Sequence, residues 1–163
     1  MLNILVICTG NSCRSIIGEA LFNHLGKGRI KAFSAGSQPL GRLNAGAVAL
    51  LQRHGIATDG LSSKSWSGFA NQPIDVAITV CDNAAGETCP VYLQTTTRTH
   101  WGLSDPGHVK GTDDEVTAAF EATYHAVERR INAMLALPLE TLSSEALVAE
   151  LNAIGKLDCN LPR

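Results

Sequence analysis

Residues 8 to 15 read Cys8-Thr9-Gly10-Asn11-Ser12-Cys13-Arg14-Ser15, and this stretch decides the fold of the chain. It follows Asn3 to Ile7, a continuous apolar run with β-branched residues that predicts a buried strand. It leads into Ser15 to Leu25, where apolar residues recur at helical spacing. A loop of this length between a strand and a helix can wrap its backbone N–H groups around a tetrahedral oxyanion, since the N-terminus of the helix adds positive potential. The stretch therefore predicts an oxyanion-binding loop in an α/β fold.

The side chains of this loop suit nucleophilic chemistry on a bound oxyanion. Gly10 and Asn11 tolerate the left-handed backbone angles that such a loop needs, and Arg14 offers a planar fork to two oxygens. Cys8 meets N–H donors and a cation, conditions that favour a reactive thiolate, and Ser15 can donate a hydrogen bond to its sulfur. We therefore predict Cys8 as the nucleophile and the next six residues as the oxyanion-binding loop: Thr9, Gly10, Asn11, Ser12, Cys13 and Arg14. The alternative is that the two cysteines are small core residues of a strand-to-helix turn.

The rest of the chain alternates predicted strands and helices. Strands are predicted at Ile30 to Ser34, Asp75 to Val80 and His100 to Leu103, and helices at Asn44 to His54 and Asp113 to Leu135. This order predicts a single α/β domain with a four-stranded parallel sheet and helices on both faces. We expect the domain to span residues 1–137, followed by a C-terminal helical extension at residues 138–163. Its helix, Thr141 to Ile154, is expected to pack on the body or on a second subunit.

Three reactive side chains follow predicted strands. Cys8 follows the first strand, Cys81 the third and Asp105 the fourth. Ligands of such sheets bind beyond the carboxyl ends of the strands, and neighbouring strands lie about 5 Å apart. If the first and third strands are neighbours, these three side chains share one edge of the sheet.

Composition narrows the classes of function. The chain has 163 residues with a net charge of -2, which gives no reason to expect nucleic acid or an anionic membrane as a partner. The apolar start is far shorter than the roughly 20 residues that span a bilayer, and it lacks the features of a secretory signal, so we expect a cytoplasmic protein. Five cysteines without an export signal argue against a static disulfide framework. Their spacing does not favour a metal site, so thiol chemistry remains.

The oxyanion-binding loop near the N-terminus and the later pair Asp105-Pro106 resemble the low-molecular-weight protein tyrosine phosphatase fold. Within that fold the chain resembles the arsenate reductases over roughly residues 1–135. The resemblance implies that Cys8 attacks the oxyanion and that Asp105 protonates the leaving oxygen, with Pro106 stiffening the loop. A plain turn would also explain Asp-Pro-Gly at this place.

Two features distinguish a reductase from a phosphatase. The similar arsenate reductases carry a cysteine after the third strand and another some residues later, as Cys81 and Cys89 do here, together with the flanking His100-Trp101-Gly102. Phosphatases of this fold usually follow the acid with aromatic residues that grip phosphotyrosine, whereas this chain has Gly107-His108. A tyrosine or small aryl phosphatase that uses Cys8, Arg14 and Asp105 is the alternative. A phosphocarrier or an oxyanion-binding module is a third class, which a general acid disfavours.

The resemblance implies a relay without a cofactor, in which Cys81 attacks Cys8 and Cys89 then attacks Cys81. In a continuous helix the sulfurs of Cys81 and Cys89 would lie about 12 Å apart along the axis, whereas a disulfide needs Cα atoms within about 7 Å. Residues 81–89 are therefore predicted to change conformation on oxidation. Thioredoxin suits such an exposed disulfide best, and glutaredoxin with glutathione is the alternative donor. Cys13 and Cys159 receive no redox role.

One position departs from some relatives, which bind a potassium ion through an Asn, a Glu, a Ser and an Asp. Asn11, Glu19 and Ser34 match the first three, but Lys64 occupies the acidic position. We hypothesise that the Lys64 ammonium replaces the ion and supports the loop directly. The alternative is a solvated loop lysine.

Overall fold

A computed structural model describes residues 1–81 and 96–156 of the chain. The strands are β1 (Leu2–Ile7), β2 (Ile30–Ala35), β3 (Val76–Thr79) and β4 (Thr97–His100). The α-helices are α1 (Arg14–Leu25), α2 (Ala45–Arg53), α3 (Asp113–Leu135) and α4 (Ser144–Ile154). Two short 3-10 helices span Trp66–Phe69 and Pro106–His108.

The four strands form one parallel sheet in the order β2-β1-β3-β4. β1 and β3 lie at its centre, and their apolar runs are buried because layers cover both faces. The predicted α/β class and the parallel four-stranded sheet are therefore confirmed. Since β1 and β3 are hydrogen-bonded neighbours, the residues that follow them, Cys8 and Cys81, leave the sheet side by side.

The fourth strand was predicted at the wrong residues, because it spans Thr97–His100 rather than His100 to Leu103. β4 lies at the edge of the sheet and is polar, with Arg98 and His100 exposed and Thr99 buried. An edge strand with one exposed face lacks the continuous apolar run that marks a central parallel strand. The apolar residues after His100 leave the strand, although Trp101 and Leu103 still donate backbone hydrogen bonds to β3 and the residue after it.

Helix α1 packs directly on the central strand. A Cβ on Gly18 would lie 3.0 Å from Val6 Cγ1, so the helix approaches β1 as closely as its backbone allows. On the opposite face of the sheet, Phe69 packs edge-on against Phe33 of β2, with ring centroids 5.6 Å apart. The core thus extends on both sides of the sheet.

The C-terminal extension contributes helix α4, which packs on β4 of the same chain. The Trp101 indole donates to the Leu151 carbonyl at 2.9 Å, and Thr99 Oγ1 donates to Asn152 Oδ1 at 2.6 Å. α4 begins later than the predicted Thr141, because the Ser143 side chain caps its N-terminus by accepting from the Ala146 N–H. Within residues 1–81 and 96–156, no helix is both long and apolar enough to cross a membrane.

Candidate active site

The loop between β1 and α1 is held from outside through its carbonyl groups. The carbonyls of Thr9, Gly10 and Ser12 accept hydrogen bonds from the backbone N–H groups of Gln38, Leu40 and Asn44, at 2.8 to 3.0 Å. Because the C=O and N–H of a peptide point in opposite directions, anchored carbonyls turn the following N–H groups to the inside of the loop. This arrangement is the one that an oxyanion-binding loop requires.

Two local conformations let the loop close. Asn11 adopts a left-handed backbone with φ of 44°, which asparagine tolerates better than most residues. Gly36 lies against the outside of the loop, where a Cβ would come within 2.4 Å of the Thr9 carbonyl oxygen. No side chain fits at this position, so the segment after β2 can hold the loop only with a glycine.

A chain of hydrogen bonds leads to the Cys8 thiol, which is buried. The Lys64 N–H donates to Asn11 Oδ1 at 2.8 Å, and this contact orients the amide so that Asn11 Nδ2 donates to Ser15 Oγ at 2.8 Å. Ser15 Oγ lies 3.0 Å from Cys8 Sγ. Because Ser15 already accepts from Asn11, its own hydrogen is available to the sulfur, where it would stabilise a thiolate.

Arg14 and Asp105 form an ion pair at the mouth of the loop. Arg14 Nη2 lies 3.5 Å from Asp105 Oδ2, and Arg14 Nη1 donates to the Leu103 carbonyl at 3.0 Å. The Gly107 N–H donates to Asp105 Oδ1 at 2.9 Å, which fixes the carboxylate at the start of the 3-10 helix Pro106–His108. The remaining oxygen, Oδ2, also faces His108 Nε2 at 3.4 Å.

Cys81 lies directly against the loop. Its buried sulfur is 3.4 Å from the Thr9 backbone nitrogen and 3.6 Å from Thr9 Oγ1. Thr9 is the residue next to Cys8, so the thiols that follow β1 and β3 lie at one edge of the sheet. Cys89 and Cys159 lie outside the described residues.

Cys13 differs chemically from the other cysteines of the site. Burial raises its pKa to about 12, and the negative charges of Asp105 and Cys8 act in the same direction. The thiol therefore stays protonated at neutral pH. A protonated thiol is a poor nucleophile, which agrees with the absence of a predicted redox role for Cys13.

Lys64 stands at the position where the resemblance leads us to expect an acidic residue. Its ammonium is 3.5 Å from Glu19 Oε1 and donates to the Ser62 carbonyl at 2.8 Å. Ser34 Oγ donates to the same Glu19 oxygen. The ammonium thus lies beside Glu19, one of the three residues that match the ion ligands of the potassium-binding relatives.

The structure brings most of the predicted site residues together: Cys8, Arg14, Ser15, Cys81, Asp105 and the loop from Thr9 to Cys13. Sequence reasoning missed the contact of Thr9 with Cys81, the backbone support of Asn11 by Lys64, and the proximity of His108 to Asp105. None of these contacts has a sequence pattern, although the position of His108 directly after Asp-Pro-Gly was visible. Chemically, the arrangement offers a thiol nucleophile, N–H donors and a guanidinium for an oxyanion, a carboxyl proton donor and a second thiol.

Comparisons with known proteins agree with this chemistry. Residues 3–148 match the family described as Low molecular weight phosphotyrosine protein phosphatase. An arsenate reductase of Halalkalibacterium halodurans is 33% identical over 128 residues, which cover 78% of this chain and 91% of the relative. An arsenate reductase of Bacillus licheniformis is 35% identical over 129 residues, covering 78% and 91%. A solved structure, an arsenate reductase in the phosphate binding state, aligns with a TM-score of 0.65 at 26% identity, over 81% of this chain and 98% of that one.

The loop between β1 and α1, the parallel sheet that presents it and these relatives together show that the chain belongs to the low molecular weight phosphotyrosine protein phosphatase family, among its arsenate reductases.

Proposed function

We propose that this arsenate reductase works through a Cys8 thiolate–arsenic adduct and a disulfide relay of Cys8, Cys81 and Cys89. In the first step the Cys8 thiolate attacks arsenic and a sulfur–arsenic bond forms. One arsenic–oxygen bond breaks, and its oxygen leaves as water after taking a proton from Asp105. The Ser15 hydroxyl at 3.0 Å from Cys8 and the Arg14 guanidinium beside Asp105 support these roles.

In the second step the Cys81 thiolate attacks the sulfur of Cys8. A Cys8–Cys81 disulfide forms, the sulfur–arsenic bond breaks, and its electron pair stays on arsenic, which leaves as arsenite. Two thiols are thereby oxidised and arsenic is reduced by two electrons. The observation that carries the proposal is the contact of the Cys81 sulfur with Thr9, the neighbour of Cys8, at 3.4 Å. Hydrolysis of a phosphate ester does not need a second thiol at this place.

In the third step the Cys89 thiolate attacks the sulfur of Cys81 and releases the Cys8 thiolate. The role of Cys89 and the conformational change of residues 81–89 rest on the resemblance to the three-cysteine reductases and on the length of the segment. Reduction of the Cys81–Cys89 disulfide needs an external dithiol, for which we propose thioredoxin, with glutaredoxin and glutathione as the alternative. A relay that must be reset by thiols suits the reducing cytoplasm.

The alternative function is hydrolysis of aryl phosphates with Cys8, Arg14 and Asp105 alone. It is favoured by the ion pair of Arg14 and Asp105 beside the loop, since this pair serves phosphate as well as arsenate. Arsenate and phosphate have the same shape and charge, so binding does not separate the two functions. The fate of the Cys8 adduct separates the two functions.

The test is a single turnover by fully reduced protein with arsenate and no added reductant, followed by mass mapping of the disulfides. We expect about one arsenite per chain and a Cys81–Cys89 bridge. Cys89→Ser should still release arsenite but stop at a Cys8–Cys81 bridge, whereas Cys81→Ser should release none. Cys159→Ser is the matched control and should behave as the unmodified chain.

Two results would contradict the proposal. Absence of arsenite, together with aryl phosphate turnover that is lost in Cys8→Ser, would make the chain a phosphatase. Equal hydrogen exchange of residues 81–89 in the reduced and oxidised protein would exclude the conformational change that the third step needs.

A further inference from the structure

The carboxylate of Asp105 has one oxygen committed and one oxygen available. Oδ1 accepts the Gly107 N–H at 2.9 Å, within a turn that begins at Pro106. Oδ2 is therefore the oxygen that can carry a transferable proton. Within the described part of the chain, two side-chain nitrogen atoms face Oδ2, Arg14 Nη2 at 3.5 Å and His108 Nε2 at 3.4 Å.

The two nitrogens differ in what they can do for Oδ2. A guanidinium keeps its protons under all ordinary conditions, so Arg14 cannot supply one. An imidazole gains and loses a proton near neutral pH. The His108 side chain is 85% exposed, whereas that of Asp105 is 19% exposed. His108 can thus exchange protons with solvent on one side and face the covered carboxylate on the other.

The spacing between His108 and Asp105 is set by the backbone. Both residues belong to one short turn, closed by the His108 N–H on the Asp105 carbonyl at 3.2 Å and the Val109 N–H on the Pro106 carbonyl at 3.3 Å. The proline ring fixes φ at the start of this turn. The pair therefore does not depend on two flexible elements meeting, as most surface ion pairs do.

We propose that His108 and Asp105 share the proton of the acid step, with His108 as its store and Asp105 as the group that passes it to the leaving oxygen. The proposal rests on the role of Asp105 as general acid. His108 acts through Asp105 and is a positioning residue for the proton. The proton moves from imidazolium Nε2 to carboxylate Oδ2 and on to the departing oxygen, which leaves a neutral imidazole and a carboxylate. Solvent then returns one proton to the imidazole.

The group that supplies the proton decides the pH range of the acid step. A carboxyl group alone holds its proton to about pH 4, whereas an imidazole holds one to about pH 6.5. An acid step that draws its proton from an imidazole through a carboxylate can therefore run at a pH at which a carboxyl group alone has lost its own proton. Among the described residues, Arg14 and Cys13 also interact electrostatically with Asp105, and the groove that Asp105 lines along α3 holds the ionisable side chains Glu115, His125, Arg129 and Arg130.

The test compares single-turnover arsenite formation between pH 5 and pH 7.5 in the unmodified chain and His108→Gln. The glutamine keeps a hydrogen-bonding amide but stores no proton in this range. The ratio of the two rates cancels the ionisation of arsenate and of Cys8, which both proteins share. We expect the rate of the unmodified chain divided by the rate of His108→Gln to grow by at least about tenfold from pH 5 to pH 7.5. His24→Gln, an exposed histidine in the last turn of α1, is the matched control and should leave the ratio at one.

A double-mutant cycle separates the pair from its parts. In an Asp105→Asn background, His108→Gln should lower the rate less than twofold, because no carboxylate remains to receive the proton. A ratio that stays constant with pH, or an equal effect of His108→Gln with and without Asp105, would overturn the inference and leave the acid role of Asp105 intact. An Asp105→Asn protein with the rate and pH profile of the unmodified chain would instead remove the proposed acid itself.

Discussion

Asn11 is the centre of the support beneath the Cys8 thiol. Its amide is fully buried and links the Lys64 backbone to Ser15, while the Lys64 ammonium pairs with Glu19. Lys64 thus acts twice: its backbone N–H supports the loop through Asn11, and its ammonium faces the Glu19 carboxylate. An ammonium at this place would do the work of a bound cation without an exchangeable ion.

This arrangement predicts an enzyme that does not respond to potassium. Steady-state arsenate reduction should have the same kcat/KM in potassium and in tetramethylammonium salts at equal ionic strength. Lys64→Asp restores a fourth oxygen group near Glu19 and removes the ammonium, so its kcat/KM should fall severalfold and recover in part with potassium. Strong, specific stimulation of the unmodified chain by potassium would contradict the role of Lys64.

Cys13 predicts a loss of stability at high pH. Its pKa is about 12 in the folded chain against an ordinary value of 9.0, because burial penalises the thiolate. The stability that it contributes is complete below pH 9 and is lost as pH rises toward 12, since the unfolded chain ionises first. At pH 10.5 the loss is about 2 kcal/mol, at about 1.4 kcal/mol per pH unit above 9. Denaturant unfolding at pH 8 and pH 10.5 should show this extra loss in the unmodified chain and not in Cys13→Ala, and equal losses would refute it.

At the scale of elements, α2 joins the loop to helix α3. The first end of α2 reaches the loop, where the Asn44 N–H donates to the Ser12 carbonyl at 2.8 Å. At its other end, His54 Nε2 lies 2.7 Å from Glu121 Oε2 and its ring stacks on Tyr124 with centroids 3.7 Å apart. The contacts of His54 with α3 therefore also help to hold one side of the loop between β1 and α1.

Glu121 makes this link sensitive to acid. Burial alone would raise the pKa of its carboxyl group, but the hydrogen bonds from His54 and Arg53 outweigh burial and lower it. A lowered pKa contributes stability above the ordinary value of 4.5 that is lost as pH falls through the folded value. Glu121→Gln should lower the free energy of unfolding by about 1 kcal/mol at pH 6, with the difference fading toward pH 3. Glu128→Gln is the control and should change the free energy of unfolding less, because the Glu128 carboxylate pairs with the exposed His125 at 3.4 Å. Equal losses of unfolding free energy in both variants at pH 6 would contradict a special role of Glu121 in holding α2 against α3.

At the scale of the whole molecule, the C-terminal extension is part of the core. Leu147, Leu151 and Ile154 of α4 are buried, and the indole of Trp101 bonds to the Leu151 carbonyl. Trp101 also stacks on Phe22 of α1, with centroids 5.8 Å apart. Helix α4 therefore covers β4, the strand that leads into the segment with Asp105.

Leu151→Ala should lower the free energy of unfolding by about 3 kcal/mol, because it leaves a cavity at a fully buried position. Glu150→Ala changes an exposed residue of the same helix and is the matched control. Denaturant unfolding followed by tryptophan fluorescence should show one shifted transition for Leu151→Ala. An unchanged transition would mean that residues 138–163 are an appendage that the domain does not need.

Local features carried the predictions that hold. The apolar runs of β1 and β3 and the helical spacing of α2 each lie within a few residues, where periodicity and backbone preference act directly. The order of these elements then allowed few arrangements other than a parallel sheet with its reactive groups at one edge. Edge strand β4 was predicted at the wrong residues because its polar sequence is stabilised by α4 and β3 and not by its own pattern.

The sequence by itself determined the class of fold and led to the prediction of Cys8 and its loop as the nucleophilic site, because both depend on short-range spacing and on residue chemistry. Only the tertiary structure decided which groups touch them. The Thr9–Cys81 contact joins residues 72 apart in sequence, and the Lys64–Asn11 bond joins residues 53 apart. Such contacts depend on strand register and loop closure. Many different sequences of the intervening residues would give the same register and closure, so no local pattern predicts the contact. Even the near pair of Asp105 and His108 needed the geometry of its turn, because spacing alone does not say where an exposed side chain points.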